Sequence, residues 1–338
     1  MVSTGRVTTP STPSPEPTAE PTAEPTAGPA AGSTARTAAG STARTTAGPT
    51  ARTTAGSTAR TTAGPTAGPT ADRARRLHAL HDPAAPLALA NVWDVASARV
   101  VEAAGAPALA TTSAGVAWAL GVPDGDRLTR ADLLAVVRRI TDAVAVPVSV
   151  DAEGGFAVDP GDVAATIRGL LDAGAVGVNL EDGACGPDGL ASRVAVARAT
   201  ADRVGVPLFV NARTDVFLGD ADADDDRFAE AVVRARRYVE AGADGIFVPG
   251  VVDREVIAAL AEAVPAPLNV MVRPGLPPVA ELGRLGVARV SLGSSVAEAA
   301  YAVARRATLE LVAAGTYTSV ADGIDYAELD ALVAGPRS

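Results

Sequence analysis

The segment Val148-Ser-Val-Asp-Ala-Glu-Gly-Gly-Phe156 leads from alternating apolar residues to two carboxylates, Asp151 and Glu153, and then to two glycines. The alternation reads as a buried strand. Two acids at the end of such a strand repel each other and lose hydration unless a positive group sits between them. A divalent cation with oxygen ligands is the simplest such group. The competing reading makes them caps for the next helix or solvated loop acids.

What the chain lacks narrows the chemistry further. It contains no lysine, so a lysine Schiff base is excluded. Its two histidines, His78 and His81, precede the first expected strand and read as surface residues of a first helix. Carboxylates, arginine, hydroxyls, one thiol and a hard metal remain as catalytic resources.

These residues need elements to position them. Short β-branched runs recur at 87–92, 108–112, 146–150, 177–180, 208–211, 245–248, 268–271 and 289–292, with amphipathic, Ala- and Arg-rich segments such as 228–241 between them. Ala-Gly or Gly-Ala pairs such as Ala173-Gly174 suit helix ends. Pro107, Pro147, Pro207 and Pro267 stand at strand starts, where proline is tolerated. The pattern predicts an α/β fold, a (β/α)8 TIM barrel; an open doubly wound sheet is the alternative. No Gly-x-Gly-x-x-Gly follows the first strand to favour that alternative.

In a barrel the site lies at the carboxyl ends of the strands. Polar residues collect there: Asn91, Thr112, Ser113, Asp151, Glu153, Glu181, Asp182, Asn211, Arg213, Asp215, Asn269 and Ser291. Asp151, Glu181 and Asn211 recur at equal intervals, which predicts equivalent positions on successive strands. Carboxylates without a His or Cys set suit Mg²⁺ or Mn²⁺.

Composition bounds the rest. Of 338 residues, 1–71 are Thr-, Ala-, Pro- and Gly-rich and imperfectly repeated, and read as a disordered tail or as sequence upstream of the true start. Residues 72–338 suit one catalytic barrel. The net charge of −10, part of it from the acidic run at 220–226, argues against a nucleic-acid partner. No signal peptide or membrane span is legible. A single cysteine, Cys185, excludes an internal disulfide and suits a reducing cytoplasm.

Five blocks then carry a resemblance: Asn91-Val-Trp-Asp94, the stretch from Thr112-Ser-Ala to Val122-Pro-Asp124, Val150-Asp-Ala-Glu-Gly-Gly155, Val178-Asn-Leu-Glu-Asp182, and Asn211-Ala-Arg-Thr-Asp215. In this order the chain resembles the isocitrate lyase and phosphoenolpyruvate mutase superfamily, including 2-methylisocitrate lyases and phosphonopyruvate hydrolases. The resemblance implies a Mg²⁺-dependent enzyme that makes or consumes a pyruvate enolate from a small carboxylate or phosphonate. It implies metal acids at Asp151, Glu153 and Glu181, acting largely through water, with Asp124 orienting the cluster. It further implies a carboxylate and enolate cradle at Thr112, Ser113 and Ala114, an anion clamp at Arg213, and homodimers or homotetramers that swap the last barrel helix. Asn211 and Asn269 either bind substrate or satisfy strand-end backbone groups.

The chain also departs from that pattern. Lyases of the family carry a loop with a Lys-(Lys/Arg)-Cys-Gly-His core; here Glu181-Asp-Gly-Ala-Cys-Gly186 keeps only Cys-Gly. Cys185 is either the surviving acid or a small loop residue. The glutamate that methylisocitrate lyases carry after the sixth strand is Gly250 here. Hydrolysis of oxaloacetate or phosphonopyruvate, and a silent anion-binding barrel, are the rival readings. Leu292-Gly-Ser-Ser295 reads as a helix cap or a phosphate grip.

Overall fold

The computed structural model describes residues 68–218 and 224–335. The expected tail lies outside the described residues up to residue 67, as does the acidic run at 220–223. Among the described residues there are nine parallel strand segments, with helices between all but the first two. They are β1 (Leu87–Leu89), β2 (Asn91–Val92), β3 (Leu109–Thr111), β4 (Val148–Asp151), β5 (Gly177–Glu181), β6 (Phe209–Arg213), β7 (Gly245–Val248), β8 (Leu268–Met271) and β9 (Val287–Ser291). The pairing order is β1-β9-β8-β7-β6-β5-β4-β3-β2. Only Ala90 separates β1 from β2, so the two ends of the sheet are one interrupted strand and the barrel closes. An open sheet is thereby excluded.

The strands are buried on both faces, as β3, β7 and β9 are along their whole length. This is the expected state of parallel strands covered by helices. The helices are α1 (Pro69–Ala79), α2 (Val95–Ala103), α3 (Ser113–Ala119), α4 (Arg130–Ala143), α5 (Val163–Asp172), α6 (Gly186–Val204), α7 (Asp224–Glu240), α8 (Arg254–Ala263), α9 (Val279–Arg284), α10 (Ser295–Ala314) and α11 (Tyr326–Ala334). Asp94 caps α2 through a reciprocal box with Ser97, which satisfies backbone donors that a helix start leaves free.

α1 closes the amino-terminal end of the barrel, where Leu77 is wholly buried. The histidines differ from the expected surface placement. His78 Nε2 lies 3.0 Å from the Pro207 carbonyl. The His81 ring stacks on Phe209, centroids 3.8 Å apart. Burial, with the nearby Arg289 charge, lowers His81 to about 3, so it is neutral at ordinary pH. The sequence placed His78 on a helix correctly, whereas His81 falls just beyond the end of α1; the docking of α1 on the barrel floor is a tertiary contact.

The equal sequence spacing of Asp151, Glu181 and Asn211 does not place them at one height. Cα partners run Asp151 to Asn179 and Asn179 to Asn211, whereas Glu181 pairs with Arg213 one level higher. The stagger that closes a barrel offsets neighbouring strands, and spacing along the chain does not carry it.

Candidate active site

Asp151 ends β4 with one carboxylate oxygen, Oδ2, 3.4 Å from the Ser113 N–H at the start of α3. Its backbone N–H donates to Thr111 Oγ1 at 2.9 Å. The other oxygen, Oδ1, is buried and has no hydrogen-bond partner among the described residues. The loop that follows is strained. Glu153 and Phe156 have φ of 46° and 53°, left-handed values that cost a side-chain-bearing residue about 1 kcal/mol or more. This bend turns the 3 % exposed Glu153 inward, where it accepts the Asp126 N–H. Arg193 donates to the Gly154 carbonyl and pins the loop from α6. A Cβ at Gly154 would stand 3.0 Å from that guanidinium.

Arg213 ends β6 close enough to Asp151 for their charges to interact. Its Nη1 lies 2.7 Å from Glu181 Oε2. Its Nε and Nη2 donate to both oxygens of Asp215, at 2.6 and 3.1 Å. Phe247 lies beneath the guanidinium, 5.9 Å from its centre. Three of five N–H donors are thus committed and two remain for an anion.

The acids perturb one another. Burial raises Asp151, against the pull of Arg213 and the Ser113 N–H, and Asp124 adds to the rise. Burial and the charges of Asp126, Asp151 and Asp124 raise Glu153 to about 7, against the Asp126 N–H. Burial, with Asp151, Asp215 and Glu153, raises Glu181 to about 8 despite Arg213. Among the described residues no three acidic, histidine or cysteine side chains form a cage ready to ligate a metal directly. Asp151, with its orphan Oδ1, and the adjacent Glu153 and Glu181 offer few direct oxygen ligands. That donor set fits a hydrated hard cation, which retains several of its waters and needs one or two carboxylates.

The remaining sequence-predicted residues distribute around this centre. Thr112 caps α3, its side chain accepting the Gly115 N–H, and Ser113 and Ala114 open that helix against Asp151. Asp124 is exposed and acts on the cluster by charge. Asn211 and Asn269 are buried and joined: Asn211 Nδ2 donates to Asn179 Oδ1 at 2.9 Å and to Asn269 Oδ1 at 3.1 Å. Asn269 in turn donates to the Arg289 carbonyl and to Ser291 Oγ. Cys185 precedes α6, and its thiol donates to the Glu181 carbonyl at 3.4 Å. Burial raises its pKa, against the nearby Arg193. Cys185 and Glu181 share a cleft of about 470 Å³ with Asp126, Arg130, Phe156 and Arg193. At the start of α10, Ser294 makes no cap bond and donates to Glu298 instead, while Asn91 takes the Gly293 N–H. An acid in that first turn disfavours a phosphate there.

Gly250 explains one departure in the sequence. Its φ is 97°, and a Cβ would stand 2.3 Å from the Phe217 carbonyl oxygen. No side chain fits without moving backbone. Gly250→Ala is expected to lower stability by roughly 1–3 kcal/mol. A denaturant titration checks this, and an unchanged midpoint would refute the close approach.

Two residues at the site carry structure that the sequence reading gave no role. Asp182 is 2 % exposed and accepts from the Asp215 N–H, the Arg234 guanidinium and the Tyr238 hydroxyl. Its place beside Glu181 at a strand end was the available signal. Arg289 is wholly buried, and among the described residues none of its three guanidinium nitrogens has a hydrogen-bond partner. No sequence signal marked it, because Arg289 reads as the start of an ordinary strand.

Comparison with known proteins agrees with this fold. The profile of the phosphoenolpyruvate phosphomutase family matches residues 77–312. An uncharacterized protein of Mycobacterium tuberculosis is 38 % identical over 262 residues, covering 75 % of this chain and 94 % of its own. The oxaloacetate decarboxylase of a Bradyrhizobium species is 31 % identical, covering 72 % of this chain and 86 % of its own. The structure of oxaloacetate acetylhydrolase with its product oxalate superposes with a TM-score of 0.68 at 25 % identity, over 78 % of this chain and 94 % of that one. The closed barrel, the acids at its strand ends and these matches together make the chain an enzyme of the phosphoenolpyruvate phosphomutase family, in the isocitrate lyase superfamily of carbon–carbon lyases.

Proposed function

We propose that this enzyme is a Mg²⁺-dependent lyase or mutase that acts on a small 2-oxo or 2-hydroxy acid through an enolate of pyruvate, with C–C cleavage as its favoured reaction. The observation that carries the reading is Arg213, braced by Asp215 and Glu181 with two N–H donors to spare, opposite the Asp151 carboxylate and the first amides of α3. Such an arginine suits a carboxylate or phosphonate. A helix start suits a second anionic group.

In this reading Asp151, Glu153 and Glu181 hold Mg²⁺ through its water shell, and Asp124 biases them by charge. Bound Mg²⁺ supplies fixed positive charge for the enolate oxygen. Ser113 and Ala114 N–H groups hold the substrate carboxylate, and Arg213 holds its far end. Asn211 and Asn269 fix the floor beneath. The Cys185 thiol, kept protonated by burial, returns a proton to the enolate carbon. The chain lacks the lysine that phosphonate mutases place in this loop, so C–C cleavage is favoured over P–C rearrangement. Hydrolysis of oxaloacetate is the second reading. The open cleft beside Glu181, which admits water, supports it.

The exposed apolar residues of α10, Tyr301, Leu309, Leu311 and Val312, support a homodimer or homotetramer built through that helix. Among the described residues no helix is long and apolar enough to cross a membrane. A cytoplasmic place is part of this reading and rests on the single cysteine.

The test is calorimetric titration of oxalate, a planar enolate mimic, with and without Mg²⁺, beside Asp151→Ala. Binding that requires both metal and Asp151, followed by pyruvate release from 2-oxo dicarboxylates, is the expected result. Folded protein that ignores oxalate under every condition would remove the enolate reading.

A further inference from the structure

Three bonds converge on Asp182 from parts of the chain far apart in sequence. Oδ1 accepts the Asp215 N–H at 3.0 Å. Oδ2 accepts the Tyr238 hydroxyl at 2.7 Å and Arg234 Nη1 at 2.9 Å, both from α7. The Asp182 backbone joins in: its N–H donates to the Arg213 carbonyl at 3.2 Å, and its carbonyl accepts the Gly186 N–H at 2.6 Å. One carboxylate thus ties the ends of β5 and β6 to α7, while its own backbone reaches the start of α6.

The consequence reaches Arg213 through Asp215. Asp215 joins the two side chains: its backbone is fixed by Asp182, and its carboxylate takes two Arg213 donors side by side. A two-point grip sets both the position and the plane of a guanidinium. The plane decides which two N–H groups face the site. An Asp215 whose backbone drifted would carry Arg213 toward Glu181, where a contact of 2.7 Å already waits.

We infer that Asp182 is a positioning residue for the reaction, which holds Arg213 in its anion-accepting orientation by way of Asp215 and anchors that orientation to α7. This rests on the reading of Arg213 as the anion clamp. Asp182 itself touches no substrate, because its carboxylate oxygens are occupied and it is buried. The relay also assigns work to Arg234 and Tyr238. They neutralise and saturate a buried carboxylate that would otherwise be costly.

Asp182→Asn tests the relay with minimal change of shape. The amide can keep the Asp215 N–H but meets the Arg234 donor with a donor of its own. Tyr238→Phe removes one bond to Asp182 from outside the site and serves if the first variant folds poorly. Two readouts are taken. One is the ¹⁵N–¹H signal of the Arg213 Nε–H group, assigned by its loss in Arg213→Lys. The other is oxalate affinity at saturating Mg²⁺, beside the rise in melting temperature that Mg²⁺ alone produces. The expected result is a sharp, slowly exchanging Arg213 signal in the parent protein that broadens or vanishes in Asp182→Asn. Oxalate affinity should fall about 10–100-fold, and less in Tyr238→Phe. The Mg²⁺-induced rise should persist, since a purely structural lesion would lower both together. A folded Asp182→Asn with an unchanged Arg213 signal and unchanged oxalate affinity would overturn the inference. If the parent protein ignores oxalate, the enolate reading falls, and the Arg213 signal alone still decides the positioning role.

Discussion

Metal-free protein is expected to lose stability as pH rises from about 5 to about 8, and Mg²⁺ to restore it increasingly over the same range. Glu153 and Glu181 carry the effect, with folded values of about 7 and about 8 against the usual 4.5. Between those limits the folded state binds more protons than the unfolded chain. Stability therefore falls with rising pH, because the slope follows the protons bound by the unfolded minus the folded state. The loss begins near the ordinary carboxylate value and levels off above about 8. One pKa unit is worth about 1.4 kcal/mol. With both groups largely buried, the loss is on the order of 3–6 kcal/mol across the range. A cation among these acids requires them ionised, so proton release accompanies its binding and its benefit grows with pH. Thermal melts in chelator and in saturating Mg²⁺, at pH 5 through 9, measure both slopes. Two parallel curves would show that the acids neither repel one another nor share a cation.

Arg289→Met is expected to raise the melting temperature of the protein. Arg289 is wholly buried on β9, with Nε, Nη1 and Nη2 all orphaned among the described residues. Burial lowers its pKa to about 10, against the attraction of Asp151, so it stays charged at neutral pH. An unpaired buried cation costs several kcal/mol, and an apolar side chain of similar length removes that cost. The expected gain is about 1–4 kcal/mol, or several degrees for a domain of this size. The gain has a counterpart at the site. Arg289 is a positive charge inside the barrel that attracts Asp151 from below, and its loss leaves the acid cluster less compensated. Oxalate binding at saturating Mg²⁺ should therefore weaken in the more stable variant. A lower melting temperature instead would mean that the guanidinium is well solvated in the core. Such opposed effects on stability and binding are the usual mark of a functional site held at a structural cost.

Much of the molecule was legible in its residues. β7 and β8 fall where the apolar runs predicted, the first run is split at Ala90 into β1 and β2, and the other strands differ at their ends by a residue or two, because alternation and strand-start prolines are local signals. Asp151, Glu153, Glu181 and Arg213 were found because polar residues at the carboxyl ends of buried strands stand out against their neighbours. The sequence by itself thus determined the fold class and most of the polar side chains that gather at the carboxyl end of the barrel. Tertiary structure alone decided their heights and partners. Asp151 is level with Asn211 and not with Glu181, since the stagger of strands is a property of closure. The grip of Asp215 on Arg213 depends on Asp182 meeting Arg234 and Tyr238 from a helix more than fifty residues away. Whether Arg289 and His81 face solvent or core likewise depends on which surfaces the other strands and α1 bring against them. Local patterns record which face of an element is apolar; they carry no record of what that face, or a polar residue on it, will meet.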